Sequence, residues 1–404
     1  MPDLPVSIVL VGIGGMGAVY VDALLGAEEK EAFEIRAAVD PSPQRCPRLD
    51  DLRAAGVRIS LEPGSSGGWG ADLTVISSPH HFHASQTIAA LNSGSRVLCE
   101  KPAAATIQDA RAMIEAERRS GRWVAIGYQW SFSEAIQRLK ADILDGAFGR
   151  PRRLKCLNAW PRDRAYYGRN DWAGRKRTAD GAWVLDGPAN NAMAHDLQAM
   201  LYLLGPDIRS CGRPVEVQAE LYRANPIENY DTAAARFVLD SGAEVLLFVT
   251  HAGRRDFGPI LDYEFELGTV SAAGRGVELR AEFAAGGVHS YGSPDATPMK
   301  KLWDSIRAVR TGELPVCGTD AAMGQTLAVN GMQDSCPDVV DFPAERKRRE
   351  KNGSAERIWV EGLDQSLERC FEDDRLPSEI GFDWARPGLR VDLRDYPAYP
   401  RRRI

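Results

Sequence analysis

The chain has few of the marks of a secreted, metal-binding or nucleic-acid-binding protein. Its seven cysteines stand singly at 46, 99, 156, 211, 317, 336 and 370, with no C-x-x-C pair and no short spacing that suits zinc. Their odd number and dispersion exclude a disulfide framework and point to reduced thiols. No apolar run is long enough to span a bilayer. The opening MPDLPVSIVLVGIGGMG places acidic and proline breaks before an apolar run that ends in glycines, unlike a signal peptide. The 50 basic and 56 acidic side chains nearly balance, for a net charge of −6, so no basic field gathers nucleic acid or anionic lipid. Internal repeats and low-complexity segments are absent. A cytoplasmic chain with a small-molecule partner is expected.

What is present is enough for two cores, with 404 residues and 44% hydrophobic content. Over residues 1–130, short apolar runs (Val6 to Val11, Ile35 to Val39, Leu73 to Ser77, Arg96 to Cys99, Trp123 to Ile126) alternate with amphipathic stretches. That is the punctuation of a parallel sheet covered by helices. From residue 131 the pattern changes to a helix, a strand, a long loop rich in Arg, Tyr and Trp, a helix at Ala192 to Leu204, and then candidate strands in succession from Val215 to Ala273. Successive strands fit a mainly antiparallel, open sheet with helices on one face. The predicted fold is α/β: an N-terminal dinucleotide-binding domain over 1–130 and a C-terminal α/β domain over 131–404. The last long helix is expected near 321–332 and an irregular tail over 341–404. The basic run Arg346 to Arg349, flanked by Glu345 and Glu350, is read as a solvated helix end. Asn352-Gly353-Ser354 matches a glycosylation acceptor but carries no weight without a secretory route.

Gly12-Ile13-Gly14-Gly15-Met16-Gly17 is G-x-G-x-x-G, set between an apolar strand and a helix. The first glycine permits a tight turn, the second admits a pyrophosphate close to backbone, and the third lets helix and strand pack. The helix N-terminus offers free N–H groups to the phosphates. The second strand ends at Asp40, 23 residues after Gly17, where a carboxylate accepts from ribose hydroxyls and repels a 2′-phosphate. NAD is favoured, and Arg45 leaves NADP open.

Two further strands run into Ser78-Pro79 and into Glu100-Lys101-Pro102, at the edge of a parallel sheet where ligands bind. A lysine there is partly desolvated and faces a developing alkoxide; the alternative is a surface lysine paired with Glu100. In the second domain Asn191 and His195 are four apart, one helical turn, so the amide can orient an imidazole suited to general acid and base work. The histidines at 80, 81 and 83 lack a nearby fourth ligand, so no metal is assigned to them. Residues 160–177 hold Arg162, Arg164, Tyr166, Tyr167, Arg169, Trp172, Arg175, Lys176 and Arg177, a composition that suits stacking on a sugar ring and binding an acidic group, or a solvated basic loop.

Together the glycine loop, Ser78-Pro79 with His83, Glu100-Lys101-Pro102, Gly127-Tyr128 with Phe132, and Asn191 with His195 resemble the glucose-fructose oxidoreductase, inositol dehydrogenase and MocA family over roughly residues 6–330. The resemblance implies a Rossmann domain followed by an open-sheet domain, and reversible oxidation of a secondary alcohol on a sugar, sugar derivative or cyclitol. It implies that Lys101 touches the substrate oxygen and the cofactor ribose, with His195 as base or acid and Asn191 orienting it. Relatives carry Asp or Asn at the latter position, and Asn191 stabilises imidazolium less than an acid. Cofactor contacts are implied at Gly12, Gly14, Gly15, Met16, Gly17, Asp40, Ser78, Pro79, His80, His83, Glu100, Lys101 and Gln129. Substrate contacts are implied at Lys101, Tyr128, Trp172, Arg175, Asn190, Asn191 and His195. A homodimer or homotetramer is expected. Two other readings stay open: a glycoside-processing enzyme that oxidises transiently at the same site, and a non-catalytic dinucleotide-sensing regulator.

Overall fold

The structure, a computed structural model, describes residues 4–62, 70–352 and 355–401. The chain divides into two units, residues 1–132 with 297–323, and residues 133–296 with 324–404. In chain order the elements are β1 (Val6–Val11), α1 (Met16–Leu25), β2 (Phe33–Val39), α2 (Leu49–Ala54), β3 (Arg58–Ser60), β4 (Leu73–Ile76), α3 (His83–Asn92), β5 (Arg96–Cys99), α4 (Ile107–Ser120), β6 (Val124–Ile126) and α5 (Gln129–Phe132). Then come α6 (Glu134–Leu144), β7 (Pro151–Ala159), α7 (Arg164–Tyr167), α8 (Ala194–Leu203), β8 (Pro214–Arg223), β9 (Thr232–Leu239), β10 (Glu244–Thr250), β11 (Phe257–Phe265), β12 (Gly268–Ala273), β13 (Leu279–Phe283) and β14 (Val288–Gly292). The chain ends with α9 (Lys300–Thr311), α10 (Thr319–Ser335), β15 (Val340–Asp341), β16 (Lys347–Asn352), β17 (Ala355–Val360), α11 (Leu363–Glu372), α12 (Pro377–Ile380) and β18 (Arg390–Asp392).

The first unit is a six-stranded sheet in the order β3-β2-β1-β4-β5-β6, every pair parallel. β1 and β4 are buried along their whole length, which is why their sequences are unbroken apolar runs rather than alternating ones. α4 shows how the flanking helices are specified. Its N-cap Thr106 accepts from Asp109 N, its C-cap Gly121 takes φ +64°, and Ile107, Ala110, Met113 and Ile114 form its buried face. The sequence boundary near 130 moves little, but α9 is a correction. Residues 297–323 fall with the first unit, where α9 packs on β1, β4 and β5 through buried Lys301, Leu302, Ser305 and Ile306.

The second unit is built on a sheet in the order β14-β13-β12-β11-β7-β10-β9-β8-β15, with β18 also on β8; β7 with β10 and β8 with β15 are the parallel pairs in a mainly antiparallel arrangement. α8 packs on β7 and β10. The pleat alternates the residues of β7: Asn158 faces Asp196 of α8, whereas Lys155 reaches the Phe371 carbonyl and Leu157 joins a core with Leu363, Leu367 and Cys370 of α11. α11 therefore lies on the face opposite α8.

The tail expected to be irregular holds β15 to β18, α11 and α12. Its prolines punctuate elements rather than prevent them, Pro377 standing at the first turn of α12. Of the run Arg346 to Arg349, only Arg346 closes a short 3-10 helix (Ala344–Arg346); Lys347 to Arg349 belong to β16, which pairs with β17 from Lys347 to Asn352. Gly353 and Ser354 of the acceptor motif lie outside the described residues. Among the described residues, no helix is long and apolar enough to cross a membrane.

Candidate active site

In the first unit the glycine loop joins β1 to α1, and each glycine answers to a different constraint. Gly12 takes φ +80°, and a Cβ there would stand 2.9 Å from the backbone of Ser77 and Ser78 at the end of β4. A Cβ on Gly17 would stand 2.2 Å from the Gly12 carbonyl oxygen, so only glycine lets α1 approach the strand. Gly15 caps α1 at φ +55°. A Cβ on Gly14 would meet nothing closer than the Arg45 Cβ at 3.6 Å, so the space over that residue is open to a ligand. Met16, the first residue of α1, is exposed. The loop is held by Gly12 N donating to Val39 O at 2.8 Å and Ser77 Oγ donating to Gly12 O at 2.8 Å.

Asp40, at the end of β2, accepts from Ile13 N at 2.9 Å and from Ser42 N at 2.7 Å. Its carboxylate thus buttresses the loop as well as standing where a ribose partner is needed. This combination of close-packed glycines, an exposed helix N-terminus and an acid at the second strand end fits an adenine dinucleotide.

The strand ends beside the loop are tied together by His83. Buried at the start of α3, its Nδ1 lies 2.8 Å from Pro102 O and its Nε2 2.9 Å from Ser78 O, linking the Ser78-Pro79 turn to the Glu100-Lys101-Pro102 turn. Burial lowers its pKa against the pull of those carbonyls. With both ring nitrogens facing carbonyls, His83 is a brace rather than a metal ligand, and among the described residues no group of three His, Cys, Asp or Glu side chains is placed to hold a metal. His80 is buried in the turn before α3, and Ser78 Oγ donates to Gln86.

Glu100 is a surprise. Its carboxylate accepts from Tyr20 Oη at 2.6 Å, from Lys101 N at 3.1 Å and from the ammonium of Lys301 in α9. Burial alone would push the carboxyl up, but the Lys301 charge, with the hydrogen bonds of Lys301 and Tyr20, holds it at about 2. Lys301 also donates to Gly127 O at 3.2 Å, so one buried ion pair ties α1, the ends of β5 and β6, and α9. Lys101 itself is half-buried at the end of β5, and Glu100's principal ammonium partner is Lys301. Tyr128 is fully buried after β6, and Gln129 opens α5, half-buried.

In the second unit a tight turn delivers His195 to the first turn of α8, where it is half-buried. Asn191 precedes α8 and lies outside its regular hydrogen bonding. Its Nδ2 donates to Asp186 Oδ1 at 2.8 Å, which directs Oδ1 away as an acceptor. Asp186 also accepts from Gly174 N at 2.7 Å, and Leu185 before it takes φ +48°, a conformation strained for leucine. Buried Asn190 donates to Leu185 O at 3.2 Å and so holds that turn.

Asp196, the next residue after His195, was not singled out in the sequence. It is buried, accepts from Asn158 Nδ2 at 2.7 Å, and is pushed up to about 7 by burial against the bonds from Asn158 and Cys156. The available signal was an acid immediately before the largely apolar run Leu197 to Leu203.

The loop after β7 is ordered by cations on aromatic faces. The Arg162 guanidinium sits 3.7 Å from the Trp160 ring and 4.5 Å from that of Tyr166, and Arg177 lies 3.5 Å over Trp183. Trp172 is half-buried and Arg175 exposed. His251, buried against this loop with Nδ1 2.8 Å from Trp160 O, is pushed down to about 3 by burial and by Arg162.

The model of an oxidoreductase family with an NAD-binding Rossmann fold, GFO/IDH/MocA, matches residues 6–128, and that of the GFO/IDH/MocA C-terminal domain matches residues 136–267. An inositol 2-dehydrogenase of Klebsiella pneumoniae is 32% identical over 34% of this chain, a match that spans only 37% of that relative. Inositol 2-dehydrogenase 1 of Saccharopolyspora erythraea is 26% identical over 82% of this chain and 93% of its own. Among solved structures, the WlbA dehydrogenase of Chromobacterium violaceum, in complex with NADH and UDP-GlcNAcA, shares the fold at a TM-score of 0.67 with 21% identity, over 84% of this chain and 95% of that one.

Proposed function

We propose, for a chain that belongs to the GFO/IDH/MocA oxidoreductase family, NAD-dependent hydride transfer at a secondary alcohol of a sugar, sugar derivative or cyclitol. The observation that carries the reading is the loop 12–17 with its close-packed Gly12 and Gly17, braced by Asp40. Gly12, Gly14, Gly15, Met16 and Gly17 would hold the pyrophosphate, and Asp40 the adenosine ribose. Ser78, Pro79, His80, His83, Glu100 and Gln129 would shape the nicotinamide side, His83 and Glu100 through the bonds that fix their turns. Asp40 favours NAD over NADP. Bound nicotinamide supplies hydride acceptance and return.

The residues of this chain supply the rest. Lys101 donates to the reacting oxygen and stabilises alkoxide character. His195 takes the hydroxyl proton in oxidation and returns it in reduction. Asn191, with Nδ2 committed to Asp186, keeps Oδ1 as the acceptor that would orient the His195 ring. Tyr128, Trp172, Arg175 and Asn190 bound the substrate.

The seven thiols suit a reducing compartment, and we place the chain in the cytoplasm. We retain a homodimer or homotetramer. Because Phe342, Val360, Leu363, Leu367, Cys370 and Trp384 cover one face of the sheet over β7 to β10, its exposed part lies at β12 to β14, where Thr269, Arg280, Glu282 and Val288 face solvent.

The test is a panel of sugars, sugar acids, inositols and glycosides scored for net NADH formation, with Lys101→Ala alongside. The expected result is NADH from at least one polyol, and a Lys101→Ala variant that binds NAD but does not reduce it. Normal turnover by that variant rejects the assignment. Glycoside cleavage without net NADH would favour transient oxidation, and NAD affinity with no turnover of any substrate would favour a regulator.

A further inference from the structure

Three arginines gather on Trp160 and Tyr166 in the second unit, and two of them have an acid. Arg169 lies 3.7 Å over Tyr166 and 3.8 Å from the Asp186 carboxylate. Arg275 lies 4.6 Å from the Trp160 ring and pairs with Asp256 at 2.6 Å. Arg162, close to both rings and hydrogen-bonded to the Tyr166 side chain, has none: among the described residues no carboxylate stands within ion-pair distance of its guanidinium. Its Nε is fully buried and, among the described residues, has no hydrogen-bond partner. A half-buried, ring-stacked cation without a counter-charge is costly unless something anionic completes it. Neighbouring His251 bonds to Trp160 O and carries no charge of its own at neutral pH.

The placement ties this cation to the reacting end of the unit. Trp160 N donates to Thr250 O and Arg162 N to His251 O, so the extended pairing with β10 continues past β7 and carries Asn158, Trp160 and Arg162 at alternate positions. Asn158 bonds Asp196, the residue after His195. Arg275, over the Trp160 ring, acts electrostatically on the same Asp196.

We propose that Arg162 anchors a carboxylate on the substrate, so that the alcohol oxidised belongs to a sugar acid or another carboxylated polyol. The planar guanidinium lies against the Trp160 and Tyr166 rings, and its fork of donors suits a carboxylate. One uncompensated positive charge matches a monoanion, whereas a phosphate dianion would leave excess negative charge. This inference rests on the dehydrogenase reading and narrows its substrate.

The full chain is assayed with NAD on glucose, glucuronate and glucose 6-phosphate and on a neutral and a carboxylated cyclitol, and sugar-acid affinity is measured by calorimetry with NADH present. The wild type is expected to prefer the carboxylated member. In Arg162→Met, which keeps an apolar stem against the rings, the ratio of kcat/KM for acid over neutral polyol is expected to fall roughly 10- to 100-fold, the scale of one charge-assisted hydrogen-bonded pair. Arg162→Lys, with charge but no fork, should fall between, and thermal unfolding of each variant checks that it folds. An unchanged ratio in Arg162→Met, or a wild type indifferent to the carboxylate, overturns the proposal, and preference for the phosphate ester overturns the choice of carboxylate. If no polyol reduces NAD, the dehydrogenase reading fails instead. Calorimetry then decides the anion site: sugar-acid binding weakened by Arg162→Met supports it, and absence of binding rejects it.

Discussion

Lys301 places its ammonium on the carboxylate of Glu100, two residues 201 apart in sequence and both buried in the first unit. The pair is a structural clasp directly beneath the turn that presents Lys101. Removing one member leaves the other charge buried, so Lys301→Met should cost about 3–5 kcal/mol in unfolding free energy, and the double change with Glu100→Gln should recover part of it. The pH dependence has a definite sign. The folded carboxyl is held down at about 2, so its stabilisation is present above the ordinary glutamate range and is lost as pH falls from that range toward 2. Denaturant titrations across that window should show a shallower acid slope in Glu100→Gln than in the wild type; equal slopes would mean that Glu100 is not held ionised.

Two glycine substitutions, three residues apart, should fail in different ways. A Cβ on Gly17 collides with the Gly12 carbonyl at 2.2 Å, so Gly17→Ala must push α1 off β1 and lower stability by about 1–3 kcal/mol. A Cβ on Gly14 has 3.6 Å to its nearest neighbour, so Gly14→Ala should melt like the wild type while its methyl meets the approaching pyrophosphate. Thermal unfolding paired with NADH fluorescence titration separates them. A Gly14→Ala protein with unaltered affinity would show that the dinucleotide does not cross this loop.

The parts of the site legible in sequence are those in which neighbours in the chain are neighbours in the molecule. Gly12 to Gly17, Asp40 at its strand end and Lys101 at another could be read because strand, turn and helix follow one another within a few residues. Lys301 could not be read, since only the return of α9 brings it to Glu100. The tail was misread for a related reason. Leu363, Leu367 and Cys370 carry helical spacing, but the surrounding prolines suggested irregular chain, and the apolar sheet face that those residues cover is assembled from β7 to β10. Asp196 was overlooked because its neighbours Asn158 and Cys156 lie on β7, distant in sequence from α8.

Asp196 also gives the second unit a pH dependence opposite to that of Glu100. Burial raises its folded pKa to about 7, above the ordinary aspartate range, so its contribution is fully present below that range and declines as pH rises through 7. Ionising the carboxyl would put a negative charge on the α8 face of the sheet, offset by the hydrogen bonds of Asn158 and Cys156 and by the charge of Arg275. Asp196→Asn keeps an acceptor for Asn158 and removes the titration. The variant should gain on the wild type by roughly 1–4 kcal/mol between pH 5 and pH 8, the scale of a shift of one to three pKa units. If Asp196 also sets the charge felt by the adjacent His195, the pH at which kcat/KM is half-maximal should move in the same variant. Parallel stability curves for variant and wild type would show instead that Asp196 is already ionised in the fold.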